Sequence, residues 1–241
     1  MNDRKPTGAR DWINERTGFD KVWAALFERR IPEAKGAVAW LYTLGSASMF
    51  VFMVQVVTGA LLAMNYVPSP DHAYDSVRFI GDKVLCGAFI RGLHHWGASF
   101  MVVLAVAHML RVYFMGAYKY PREGTWMVGV ALLLLVIGFG FTGYLLPWDQ
   151  KSYWATVVGT NIAGQTPFVG PFVSKILKGG PEMGAATLPR FYALHVLVLP
   201  GLMLIGLGVH LFFVVWHGIS EPPARAGKAA ESEGAAAEAA E

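Results

Sequence analysis

The stretch "IRGLHHWGASFMVVLAVAHMLRVYF", Ile90 to Phe114, decides the fold and poses the functional question. It is long and apolar enough to cross a bilayer, yet it carries histidines at 94, 95 and 108 and arginines near both ends. Ionisable groups are expensive inside hydrocarbon and stay there only with a partner or a task.

The whole chain has the same character. Of its 241 residues, 54% are hydrophobic and 15% charged, where soluble domains average about 25% charged. This composition predicts an integral membrane protein. The net charge of +3 is spread along the chain and gives no reason to propose nucleic acid as a partner. A single Cys86 excludes an internal disulfide and leaves no CxxCH for covalent haem of the c type.

Three further segments reach the length of a membrane span: Gly36 to Met64, Thr125 to Leu146 and Phe191 to Trp216. With the opening stretch as the second, they are segments A to D. Ahead of A, Phe19, Val22, Trp23, Leu26 and Phe27 recur at helical spacing among charged residues, which predicts an amphipathic helix on the membrane surface. The fold class is therefore an all-α membrane protein. Residues 1–35 form an N-terminal arm, 36–222 a four-helix transmembrane domain, and 223–241 an Ala/Glu-rich tail expected to be disordered. The short B-to-C connection is basic, with Lys119 and Arg122, as is the N-terminal arm. The positive-inside rule then places both termini and this loop in the cytoplasm, with the long A-to-B and C-to-D loops outside.

His94 and His108 are 14 residues apart, about 40° around a helix axis and about 21 Å along it. His195 and His210 on D are 15 apart, about 60° off in the other sense and about 22 Å of rise. B and D run in the same direction, so His94 faces His195 in the outer half and His108 faces His210 in the inner half. Metal ions held by protein alone draw three or four ligands to one point. One pair at each depth instead suits something large, flat and itself four-coordinating, and haem with histidine on both axial positions fits. Gly45 and Gly59 on A, and Gly129 and Gly143 on C, repeat the 14-residue spacing and leave room at two matching depths. Arg91, Arg111 and Arg190 stand near the span ends, where haem propionates would emerge. His95 points about 100° away from His94 and His72 lies in a loop, so neither is expected to be a ligand. Two other classes remain open on these residues: a transporter or proton conductor with histidine relays, and a di-haem membrane anchor of a dehydrogenase or hydrogenase.

The motifs "RGLHHWGAS", "HMLRVY", "PREGTWMVGV", "FGFTGYLLPWDQKSYWA" and "LPRFYALHVLVLP" resemble cytochrome b of the quinol-oxidising cytochrome bc and bf complexes, in the family's order from about Trp40 to Pro222. "PWDQ", the 15-residue step from His195 to His210 and the run "GISEPP" resemble its short, four-helix b6 form.

The resemblance implies a di-haem bundle with two non-covalent b-type haems. The low-potential outer haem would lie on His94 and His195, the high-potential inner one on His108 and His210, and Arg91 and Arg111 would pair with propionates. Gly143 with Trp154 and Ala155 would line the outer quinol site, and His217 and Ser220 the inner quinone site. The b6 form of oxygenic photosynthesis carries a cysteine where this chain has Thr43, so no covalent extra haem is expected.

The implied function is transfer of electrons across the membrane between quinol oxidation outside and quinone reduction inside, in a proton-translocating Q cycle of a quinol:cytochrome c or plastocyanin-type oxidoreductase. Implied partners are membrane quinone, the lipid bilayer, a separate subunit carrying the later cytochrome b helices, a Rieske-type iron-sulfur protein and a c-type cytochrome, in a dimeric complex of the bacterial cytoplasmic membrane. The family's Pro-Glu-Trp-Tyr motif is matched by neither Pro32-Glu33 nor Pro181-Glu182, so the chain is expected to be inactive alone.

Overall fold

The computed structural model describes residues 8–20, 23–24 and 36–221, which are helical or irregular with no strand among them. Helix α1 spans Ala9–Thr17 and ends at Gly18 in the left-handed conformation. Within the expected amphipathic helix, residues 19, 20, 23 and 24 are helical, and Val22, Leu26 and Phe27 lie outside the described residues. The tail from 223 onward lies outside them as well.

Segment A is divided. A short α2, Ala37–Leu41, is followed by a turn at Tyr42 and Thr43 and then by α3, Leu44–Ala63. Segment B is α5, Gly87–Phe114, and segment C is α6, Glu123–Tyr144. Segment D begins earlier than its apolar run suggests, as α9, Thr187–Ala193, continues through a π-helical turn, Leu194–Val198, and ends as α10, Leu199–His217. All four spans are long and apolar enough to cross a membrane, and their many exposed apolar side chains, Phe50, Phe100, Leu134 and Ile205 among them, suit a lipid surround.

The π turn revises the angular reading of D. Pro200 lacks the N–H that would continue the α-helical ladder, and the turn just before it holds one extra residue. The 15-residue step from His195 to His210 therefore acts as 14 α-helical residues. The expected offset of about 60° becomes the same phase that His94 and His108 have on α5.

The A-to-B and C-to-D loops are structured. Helix α4, Ala73–Asp82, lies between A and B, while α7, Gln150–Gly164, and α8, Gly170–Lys178, lie between C and D. Helix α7 starts with a capping box in which Ser152 N–H donates to Asp149 Oδ1 at 2.7 Å and Asp149 N–H donates to Ser152 Oγ at 3.1 Å. Helix α8 opens with Pro171 and stops at Gly179, whose φ of 80° lies where glycine is unstrained.

Helix α3 packs along α5, α10 along α6, and α5 touches α6. Two buried clusters fix this bundle. Phe52, Val136 and Met203, with Met101, Val102 and Leu132, form a layer drawn from all four spans. Ala73, Leu145, Leu188 and Phe191 form a second cluster that ties the outer loops to the ends of C and D. There Tyr66 O–H donates to the Leu146 carbonyl at 2.7 Å, and burial followed by neighbouring Tyr192 pushes the Tyr66 pKa well above the ordinary tyrosine value.

Candidate functional site

The mid-membrane layer divides the bundle into two compartments. Phe52 lies halfway along α3 between Gly45 and Gly59, Val136 halfway along α6 between Gly129 and Gly143, and Met101 halfway along α5 between His94 and His108. Where these large side chains meet, the bundle is filled. One turn or two above and below, glycine takes their place and the histidines take up the room.

Each glycine backs one histidine. A Cβ added at Gly59 would lie 3.1 Å from the His94 ring, at Gly143 2.6 Å from His195, at Gly45 3.2 Å from His108 and at Gly129 3.3 Å from His210. Helix α3 thus supports the two histidines of α5, and α6 supports the two of D. The 14-residue glycine spacing, read from the sequence as room for a macrocycle, is here the spacing of the imidazoles themselves. It lets backbone and ring approach more closely than any side chain would permit.

Across the compartment expected to be the outer one, His94 and His195 face each other with ring centroids 6.3 Å apart and planes at 74°. Two metal–imidazole bonds of about 2.0 Å, with about 1.1 Å from each nitrogen to its ring centre, span about 6.2 Å, so the gap suits a single iron held from both sides. Thr58 Oγ1 lies 2.9 Å from His94 Nδ1 and Thr142 Oγ1 lies 3.1 Å from His195 Nδ1. Phe139 meets the His195 ring edge-on at 5.5 Å. In the compartment expected to be the inner one, Nδ1 of both His108 and His210 is buried without a hydrogen-bond partner. Among the described residues no three or more His, Cys, Asp or Glu side chains converge as a metal site.

Below the inner pair, Arg111 is only 9% exposed. Its guanidinium lies over the Tyr42 ring at 3.9 Å, while Nε and one terminal nitrogen have no hydrogen-bond partner. A buried cation with unused donors is a receptor for an anion. Tyr42 O–H donates to the Ser220 carbonyl at 3.0 Å and Arg122 Nε–H to the Gly218 carbonyl at 3.2 Å. The first bond fastens the end of D to the start of A, and the second fastens it to the B-to-C connection ahead of C. Nδ1 of His217 and Oγ of Ser220 are buried there without a partner.

The family described as Cytochrome b/b6/petB matches residues 31–218. The chain belongs to this family. The cytochrome b subunit of menaquinol:cytochrome c reductase from Geobacillus thermodenitrificans is 42% identical over 88% of this chain and 97% of its own length. Cytochrome b6 of Heliobacterium mobile is 43% identical over 88% of this chain and 99% of its own. A solved chain of a hyperthermophilic respiratory Complex III superposes with a TM-score of 0.78 at 32% identity, covering 88% of this chain, which spans 56% of that one. As a cytochrome b, the protein is a haem-binding, multi-pass membrane subunit of electron-transport complexes.

Other residues singled out in the sequence fall in different settings. Arg91 is exposed near the start of α5. Arg190 donates to the Ala186 carbonyl at 3.1 Å, within its own helix. His95 is exposed with its ring against Trp96, and His72 caps α4 in an exposed position. Trp154 and Ala155 are exposed on α7, and Thr43 Oγ1–H donates to the Trp40 carbonyl at 2.8 Å. Sequence reading missed Thr58 and Thr142. Each precedes one of the spaced glycines in a Thr-Gly dipeptide, which is the signal that could have found them.

Proposed function

We propose that this cytochrome b holds two non-covalent b-type haems, the outer between His94 and His195 and the inner between His108 and His210. On this reading it carries electrons across the membrane from an outer quinol-oxidation site to an inner quinone-reduction site. The observation that carries the proposal is that four glycine-backed histidines stand in two compartments separated by the Phe52, Val136 and Met203 layer. Haem would supply one-electron iron chemistry, with His94 and His195 holding one such group and His108 and His210 the other. The protein's own residues orient the imidazoles, exclude water from the compartments, and at Arg111 offer donors to a propionate.

The unpartnered His217 Nδ1 and Ser220 Oγ support a polar inner quinone site at the end of D. On the outer side, Gly143 and the exposed Trp154 and Ala155 would form one wall of the quinol site. With Thr43 in place of a cysteine, no thiol is available there for a covalent third haem. Menaquinol is named in the Geobacillus relative and is the first substrate to test.

The exposed side chains Trp154, Val158 and Ile162 form an apolar stripe at i, i+4 and i+8 along α7, and Phe172 and Ile176 add to it on α8. Such a stripe outside the spans supports a second membrane subunit covering this face, with a Rieske-type iron-sulfur protein and a c-type cytochrome completing a dimeric assembly. On this reading both termini are cytoplasmic in a bacterial membrane, and residues 36–222 are the transmembrane domain. The test is quinol turnover with a soluble acceptor. The complex purified intact should turn over with sensitivity to outer-site inhibitors, and the haem-loaded chain alone should not. Full inhibitor-sensitive turnover by the isolated chain would overturn the split-subunit reading.

A further inference from the structure

The outer and inner histidine pairs differ in what their Nδ1 atoms meet. Thr58 Oγ1 lies 2.6 Å from the Val54 carbonyl four residues back, and Thr142 Oγ1 lies 2.8 Å from the Gly138 carbonyl in the same relation. A hydroxyl has one hydrogen and two lone pairs. With the hydrogen engaged by the preceding helical turn, each oxygen is left to accept, and the donors at 2.9 and 3.1 Å are Nδ1–H of His94 and His195. The threonine bond therefore fixes the imidazole tautomer, with the proton on Nδ1 and the free lone pair on Nε2.

The inner pair has no counterpart. The residues before Gly45 and Gly129 are Leu44 and Val128, and Nδ1 of His108 and His210 lacks a hydrogen-bond partner.

We propose that Thr58 and Thr142 are positioning residues that lower the reduction potential of the outer haem relative to the inner one. A hydrogen bond accepted from Nδ1–H makes the ligating nitrogen more basic and favours ferric over ferrous iron. The low dielectric of the membrane interior strengthens the bond. The potential step across the membrane is thereby written partly in two Thr-Gly dipeptides. This inference rests on the haem reading proposed above.

The experiment is a spectroelectrochemical titration of the intact complex, with haem counted by extraction beforehand. Thr58→Val and Thr142→Val should each keep two haems per chain and shift the outer haem toward its reduced form. The shift should be on the order of tenfold at fixed ambient potential, about 59 mV for a one-electron couple, with the inner haem unmoved. Thr58→Ser should restore the wild-type value. If valine empties the outer site, Thr58→Ala removes the same hydroxyl with less volume and should show the same rise. Val128→Thr is the converse: at nearly constant volume it places a hydroxyl before Gly129 and should lower the inner haem alone. Two haems with unchanged potentials in the Thr58 and Thr142 variants, or equal shifts of both haems, would overturn the inference and leave the haem reading standing. A wild-type complex without two extractable haems would overturn both.

Discussion

Replacing Gly143 by alanine should be the most damaging of the four glycine substitutions, and the structure says by how much. The added Cβ would lie 2.6 Å from Cε1, 3.1 Å from Nδ1 and 3.2 Å from Nε2 of His195. Ordinary contact begins at about 3.5 Å, so the ring must retreat by roughly 1 Å, whereas a metal–ligand bond tolerates about 0.2 Å. Overpacking of this kind costs about 1–3 kcal/mol, equivalent to roughly 5- to 150-fold weaker retention of the outer haem. At Gly59, Gly45 and Gly129 the nearest ring atoms are 3.1, 3.2 and 3.3 Å away, and a retreat of a few tenths of an ångström suffices. Extracted haem per chain, with reduced-minus-oxidised spectra referenced to His195→Ala and His210→Ala, reads the outcome. Wild-type retention of the outer haem in Gly143→Ala, or a greater loss of inner haem in Gly129→Ala, would refute the reasoning.

Arg111→Gln should weaken retention of the inner haem by about 10- to 150-fold, the loss of a charge-assisted bond of roughly 1.5–3 kcal/mol, and leave the outer haem in place; haem titration checks both. The topology predicts that the exposed Cys86 reacts with a membrane-impermeant maleimide from outside spheroplasts, and that a Cys86→Ser, Lys119→Cys variant is protected; the reverse pattern would invert the protein. The raised Tyr66 pKa makes a signed prediction. The unfolded chain loses this proton near pH 10 while the folded protein keeps it, so the stabilisation is complete below that pH and is lost as pH rises above it. Thermal unfolding of the wild type should become steeply pH-dependent above about pH 10, and Tyr66→Phe should flatten that dependence; parallel curves would remove Tyr66 as the cause.

The spans and the haem-ligand candidates were legible because each rests on a period. Apolar length announces a membrane helix, and 14-residue spacing brings side chains back to one face, whether His94 and His108 or Gly45 and Gly59. The 15-residue step on D misled the angular reading because periodicity assumes an unbroken α-helix, and the wide turn before Pro200 appears only once backbone hydrogen bonds are traced. The cation–π stack of Arg111 on Tyr42 joins residues far apart in the chain, which no local pattern encodes. Arg91 was read as a propionate partner from its place one turn before His94, but its exposure sets it apart from the buried Arg111. Helix α7 follows no such period, and its start is fixed by the capping box of Asp149 and Ser152, a local bond pair seen in the structure.

On the proposed haem reading, the four histidines act as two pairs. Haem content and difference spectra of the single variants His94→Ala, His195→Ala, His108→Ala and His210→Ala, each measured in the assembled complex, test it most directly. The account predicts two haems in the parent and one in every variant, with His94→Ala and His195→Ala losing one and the same spectral species and His108→Ala and His210→Ala losing the other. Loss of the same species in His94→Ala and His108→Ala, or retention of both haems in any of the four, would contradict it.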